Sequence, residues 1–132
     1  MNSGRVFAAA AQLQDGRLLV TGGYNDYQPS SLNSAEMLTE KGWENNIPSL
    51  QVTIFSHCIV AVNSTTVMVI GGMQNQQLTG KTFFFTLGEQ NWTEGPELNF
   101  MRQHHSCGRI RRDKDSQEMS IIVAGGYSCS SY

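Results

Sequence analysis

One pattern occurs three times in this chain and limits what it can fold into. Leu18-Leu19-Val20-Thr21 runs into Gly22-Gly23, Val67-Met68-Val69-Ile70 into Gly71-Gly72, and Ile121-Ile122-Val123-Ala124 into Gly125-Gly126. Trp43 stands 20 residues after Gly23, and Trp92 stands 20 after Gly72. Gly22 to Gly71 is 49 residues, and so is Trp43 to Trp92. Two landmarks sharing one period are an internal repeat. Each apolar run is too short for a helix and ends in helix breakers, so it reads as a buried strand. The glycines permit positive φ and the close approach of another backbone or a ring. A large ring that recurs at a fixed distance is expected to fill space between packed sheets.

These residues resemble the Kelch repeat, about 50 residues forming one four-stranded blade of a β-propeller with a Gly-Gly followed by a Trp. The resemblance spans nearly the whole chain. Its companion motif, an Arg with a His some residues later, appears in Arg102-Gln103-His104-His105-Ser106-Cys107. The first copy is weaker, Arg5-Val6-Phe7-Ala8-Ala9-Ala10, and Thr53 stands at the Arg position of the second. The Tyr usual before the Trp is replaced by Met37 and Leu38, and by Phe85. The resemblance implies an all-β fold: two four-stranded antiparallel blades at residues 6–47 and 54–96, plus the first two strands of a third at 103–132.

Within that scheme strands are expected at 6–13, 17–21, 34–39 and 43–45, and again at 54–62, 66–70, 81–87 and 91–94. Residues 24–33 and 72–80 read as loops, and the mixed charges of Arg111 to Ser116 read as a solvated hairpin tip. Cys58 and Cys107 hold equivalent places 49 residues apart. Neighbouring sheets stack about 10 Å apart, and a disulfide needs Cα atoms within about 7 Å. Both are therefore expected as small buried apolar residues rather than a bridge. Cys129 lies in a Ser-rich tail, either free or paired outside this chain. Because propellers close with about four to eight blades, two and a half predict a piece of a longer protein, with the remaining blades in the full-length chain.

The formal net charge is −2, too small to select an acidic or basic partner. There is no basic, aromatic-interleaved patch for nucleic acid, and the longest apolar run is far short of a membrane span. Residues 1–11 lack the features of a secretory signal. That favours the cytoplasm, with secretion open if the chain is N-terminally truncated.

The Kelch resemblance implies a non-enzymatic module that binds another protein through the loops after Gly-Gly and the crossings between blades, as in ubiquitin-ligase substrate adaptors or actin-binding proteins. The candidate contact residues are Tyr24, Asn25, Asp26, Tyr27, Gln74, Asn75, Gln76 and Arg102, whose types suit adaptable hydrogen bonding and anchoring. Arg102 also suits a structural role against backbone carbonyls. Neither a metal nor an organic cofactor is expected. His57 and Cys58 point to opposite sides of a strand, and His105 and Cys107 lack further ligands at nearby spacing. The alternative is an extracellular or galactose-oxidase-like Kelch protein with a glycan-related or enzymatic role. Two Asn-x-Ser/Thr sequons, at Asn63 and Asn91, are candidate N-glycosylation sites. Their number is what chance gives, but both fall at the hairpin-tip face.

Overall fold

A computed structural model describes residues 1–26, 30–115 and 118–128. Among them there are no helices, and every strand pairing is antiparallel. In chain order the strands are β1 Ala9–Gln12, β2 Leu18–Thr21, β3 Tyr24–Asn25, β4 Ser30–Ser31, β5 Ala35–Thr39 and β6 Gly42–Glu44. They continue with β7 Ile54–Phe55, β8 Cys58–Ala61, β9 Thr66–Ile70, β10 Met73–Gln74, β11 Gln77–Leu78, β12 Thr82–Thr86 and β13 Thr93–Glu94. The last two are β14 Ser106–Arg111 and β15 Met119–Ala124. Two four-stranded sheets have the same order, β1-β2-β5-β6 (sheet I) and β8-β9-β12-β13 (sheet II), and β14-β15 form a hairpin beside sheet II.

The register follows from the doublets. Thr21 and Ile70, the last residues before each doublet, pair with Ala35 and Thr82 on the third strand of their sheets. Period-2 alternation then assigns each residue a face. Ala11, Leu13, Leu19, Ala35 and Met37 of sheet I pack against Ile59, Val67, Val69, Phe83, Phe85 and Trp92 of sheet II in one buried cluster. On the other face of sheet II, Cys58, Val60, Met68 and Ile70 meet Cys107, Ile121 and Val123 of the hairpin.

Trp92 closes the first seam, its ring stacked on Phe85 at 5.0 Å and its indole N–H donating to the Pro48 carbonyl at 2.7 Å. It lies just before β13 rather than inside a strand. Trp43 pairs with Leu38 on the face of sheet I turned away from sheet II, and is only half-buried. The same repeat position thus gives one ring a seam and the other none.

Two departures from the expected strands share one cause. The innermost strands start late because Phe7, Ser56 and His104, at equivalent repeat positions, have φ of 55°, 53° and 54°. A left-handed residue cannot continue a strand. The segment at 54–62 is therefore split into β7 and β8, and 6–13 narrows to Ala9–Gln12 with a lone bridge from Val6 to Tyr24. The kink aims backbone groups across the seams: the Ser56 N–H donates to the Phe7 carbonyl, and the His104 N–H to the Ser56 carbonyl, both at 2.9 Å. The loops after the doublets also contain structure, the ribbons β3-β4 and β10-β11.

The cysteine expectation is overturned. Cys58 and Cys107 form a disulfide with Cα atoms 6.0 Å apart. The spacing of about 10 Å belongs to the facing centres of stacked sheets. In addition the two cysteines are one register position apart, Cys58 opposite Ile70 and Cys107 opposite Val123. Strand alternation therefore turns the two side chains toward each other between β8 and β14. Cys129 lies outside the described residues.

Candidate functional site

The doublets build the end of the molecule where the candidate residues gather. Every glycine in them has positive φ, between 59° and 101°. In the first two doublets the space a side chain would need is occupied. A Cβ on Gly22 would collide with the Ile54 carbonyl and approach His57 Cε1 to 3.0 Å, and one on Gly72 would meet His57 Cβ at 2.7 Å. The His57 ring is therefore wedged between two successive doublets, and its Nε2 lies 2.8 Å from Thr21 Oγ1. His105 repeats the arrangement between Gly71 and Gly126, with Nε2–H donating to the Ile70 carbonyl at 3.0 Å. Ala8 holds the equivalent position in the first repeat and touches Gly23.

Burial lowers the pKa of both histidines. His57 falls to about 3, burial being the main cause and the nearby His105 a second one. His105 is also lowered by burial, opposed by its bond to Ile70 and assisted by Arg102 and His104. Both are neutral structural wedges at neutral pH, and Nδ1 of each is buried without a hydrogen-bond partner.

Arg5 and Arg102 perform related tasks. Arg5 donates to the Gly22 and Ser34 carbonyls and pairs with Glu36 at 2.7 Å, both side chains buried. Burial works against the Glu36 charge. The Asn2 N–H, the Arg5 guanidinium and the Ser3 N–H outweigh it and hold the carboxyl below its ordinary value. Arg102 donates to the Gly125 carbonyl at 2.7 Å. In the second repeat the equivalent position is held by Ile54 rather than the expected Thr53, and Thr53 beside it donates to Asn75 Oδ1 from Oγ1 at 3.1 Å.

The sequence-derived contact residues fall into distinct groups. Asn75 and Gln76 form the exposed tip of the β10-β11 ribbon, with φ of 47° and 67°. Asp26 is exposed, and Asn25 is half-buried on β3. Tyr24 is half-buried with its ring edge-on to Phe55 at 6.3 Å. Gln74 is buried and offers a partner nothing. Tyr27 lies outside the described residues. Asn63 and Asn91 are exposed at the opposite end of sheet II.

Sequence reasoning missed the aromatic part of the doublet end. Phe7 is 59% exposed and Tyr127 58%. The Phe7 ring stands edge-on to His104 at 5.7 Å, and Tyr127 bridges to Gln103 beside it. Phe100, 69% exposed, lies on the crossing segment that leads into Gln103 and His104. No motif marks them; only recurrence of the left-handed position, at Phe7, Ser56 and His104, could have pointed there. A separate apolar cleft of about 340 Å³, lined by Met68, Ile70, Phe84, Leu98, Ile121 and Val123, runs between sheet II and the hairpin. Among the described residues no three His, Cys, Asp or Glu side chains gather as metal ligands. Compared with models of known protein families and with curated proteins, the chain finds no match in either.

Proposed function

We propose that the chain is a protein–protein interaction module of the Kelch β-propeller type, binding its partner through the doublet end. Two face-to-face sheets of identical strand order, repeated glycine doublets and the repeated histidine wedge support the propeller reading. The observation that carries the binding reading is the exposed ring pair Phe7 and His104, edge-on at 5.7 Å, on the same doublet end of the molecule as the exposed Tyr127 and the exposed amide tip Asn75-Gln76. Exposed rings held by a rigid backbone are the anchors that interfaces use, and the amides supply directional contacts around them.

In this reading the contact residues are Gln76, Asp26 and Tyr24 together with Phe7, His104 and Tyr127, and the buried Gln74 makes no contact. Asn75 serves partly to anchor the tip on Thr53, and Arg102 to hold the third doublet.

A photo-crosslinking residue placed at Phe7 or Gln76 tests this in cells that make the protein, with one at Glu89 on the opposite tips as control. Partner adducts are expected from the first two positions, and Q76A in the protein labelled at position 7, or F7A in the protein labelled at position 76, should weaken them while leaving the thermal midpoint unchanged. Adducts formed mainly from position 89 would overturn the reading.

A further inference from the structure

The geometry points to an oxidising secretory route for this chain, with N-linked glycans on Asn63 and Asn91 as a pair at one end of sheet II. Three observations converge. The first is the disulfide. Cys58 and Cys107 are bridged between β8 and β14, and such bridges persist in the secretory lumen and outside the cell but are rare where thiols are kept reduced.

The second is where the sequons lie. Asn63 sits in the β8–β9 turn and Asn91 just after the β12–β13 turn. These turns are neighbours, because the Leu87 N–H donates to the Thr65 carbonyl at 2.9 Å. Both asparagines are exposed. The doublets and the aromatic cluster lie at the other end of the same strands, so glycans here leave that surface clear.

The third is local chemistry. Asn63 Oδ1 accepts from the Thr65 N–H at 2.9 Å, the Thr66 N–H at 2.8 Å and the Thr65 hydroxyl at 3.2 Å. All these donors act on the carboxamide oxygen. They draw electron density from the amide and hold it in place, leaving Nδ2 as the group turned to solvent. At the second sequon Trp92 is buried on Phe85, while Asn91 and Thr93 on either side of it are exposed. The middle residue anchors the site and the two recognised residues face out.

The modification is a group transfer from a polyprenyl-diphosphate-linked oligosaccharide. A bond forms between Asn Nδ2 and the anomeric carbon of the first sugar. The bond from that carbon to the diphosphate oxygen breaks, the lipid diphosphate leaves, and one amide proton is lost to a base of the transferase. Bridge formation removes two electrons and two protons from Cys58 and Cys107, passed to a disulfide-bearing oxidoreductase of the same compartment.

The test uses protein recovered by antibody from the cells that make it. It is measured as intact mass before and after peptide N-glycosidase, with free thiols alkylated before and after reduction. The expected result is a mass loss on digestion, Asn63 and Asn91 converted to Asp in the peptide map, and Cys58 and Cys107 alkylated only after reduction. In the same cells N63Q and N91Q should each remove one step of the gel shift. T65A and T93A, which keep the asparagines, should do the same. Unmodified asparagines overturn the glycosylation, whatever the state of the cysteines. Thiols alkylated without reduction overturn the secretory route. Modification of a single asparagine overturns the pairing.

Discussion

The leading glycines of the first and third doublets, Gly22 and Gly125, share a backbone conformation but not an environment. Gly22 has φ of 60° and Gly125 has φ of 71°. A Cβ on Gly22 would run into the Ile54 carbonyl and side chain and the His57 ring, whereas a Cβ on Gly125 would meet nothing within 4 Å. The flanking arginines differ likewise. The Arg5 guanidinium is buried against Glu36, whereas the Arg102 guanidinium donates to the Gly125 carbonyl at the surface. The doublet is thus a local device for turning the chain. A neighbouring sheet makes it a close-packed joint, and this is why identical motifs should differ greatly in their tolerance of change.

The sharpest test of that contrast uses the arginines. Arg5→Ala leaves the Glu36 carboxylate buried and unpaired, which costs about 3–5 kcal/mol, while Arg102→Ala should cost less than about 1 kcal/mol. Denaturant melts of both variants should show this gap, and equal losses would break the comparison. Next come the glycines. Gly22→Ala and Gly125→Ala both force alanine into the left-handed region, about 1–2 kcal/mol each. Only the first adds a backbone collision, so a thermal melt should place it at least about 2 kcal/mol below the second.

Cutting the bridge separates the two seams in another way. Cys58→Ser/Cys107→Ser should lower stability by about 2 kcal/mol, within the usual range for a disulfide. Hydrogen exchange should rise in β14 and β15 and stay unchanged in β1 and β2. The remaining effect is pH-dependent. The His57 pKa in the folded chain, about 3, lies below its unfolded value near 6.5, so between those values the unfolded chain binds the extra proton. The His57 contribution is fully present above pH 6.5 and is lost as pH falls, by up to about 1.4 kcal/mol per unit. His57→Gln should flatten the stability profile between pH 6 and 4, measured by urea titration at each pH. His105 shifts in the same direction, so a residual slope should remain.

Much of the fold was legible in the chain because it is written in local terms. Four-residue apolar runs ending in paired glycines can hardly be anything but strands, and they place β2 and β9 within a residue and the end of β15, which starts two residues before its run. The site was less legible. Phe7, Ser56 and His104 take left-handed φ because hydrogen bonds across the seams hold them there, and nothing in a phenylalanine or serine announces it. Glu36 occupies the position that Phe83 fills in sheet II, each paired with the equivalent valine, Val20 or Val69. A buried carboxylate there is intelligible only with Arg5 beside it, 31 residues away.

The amino-acid order by itself determined the period, the strands and the turns, since backbone preference and side-chain alternation act over a few residues. Which doublet is packed shut, which tryptophan finds a partner and whether two cysteines meet were decided only by tertiary structure. Those outcomes depend on the distance between sheets at a given edge, and that distance is set by everything packed between them rather than by any one stretch of chain.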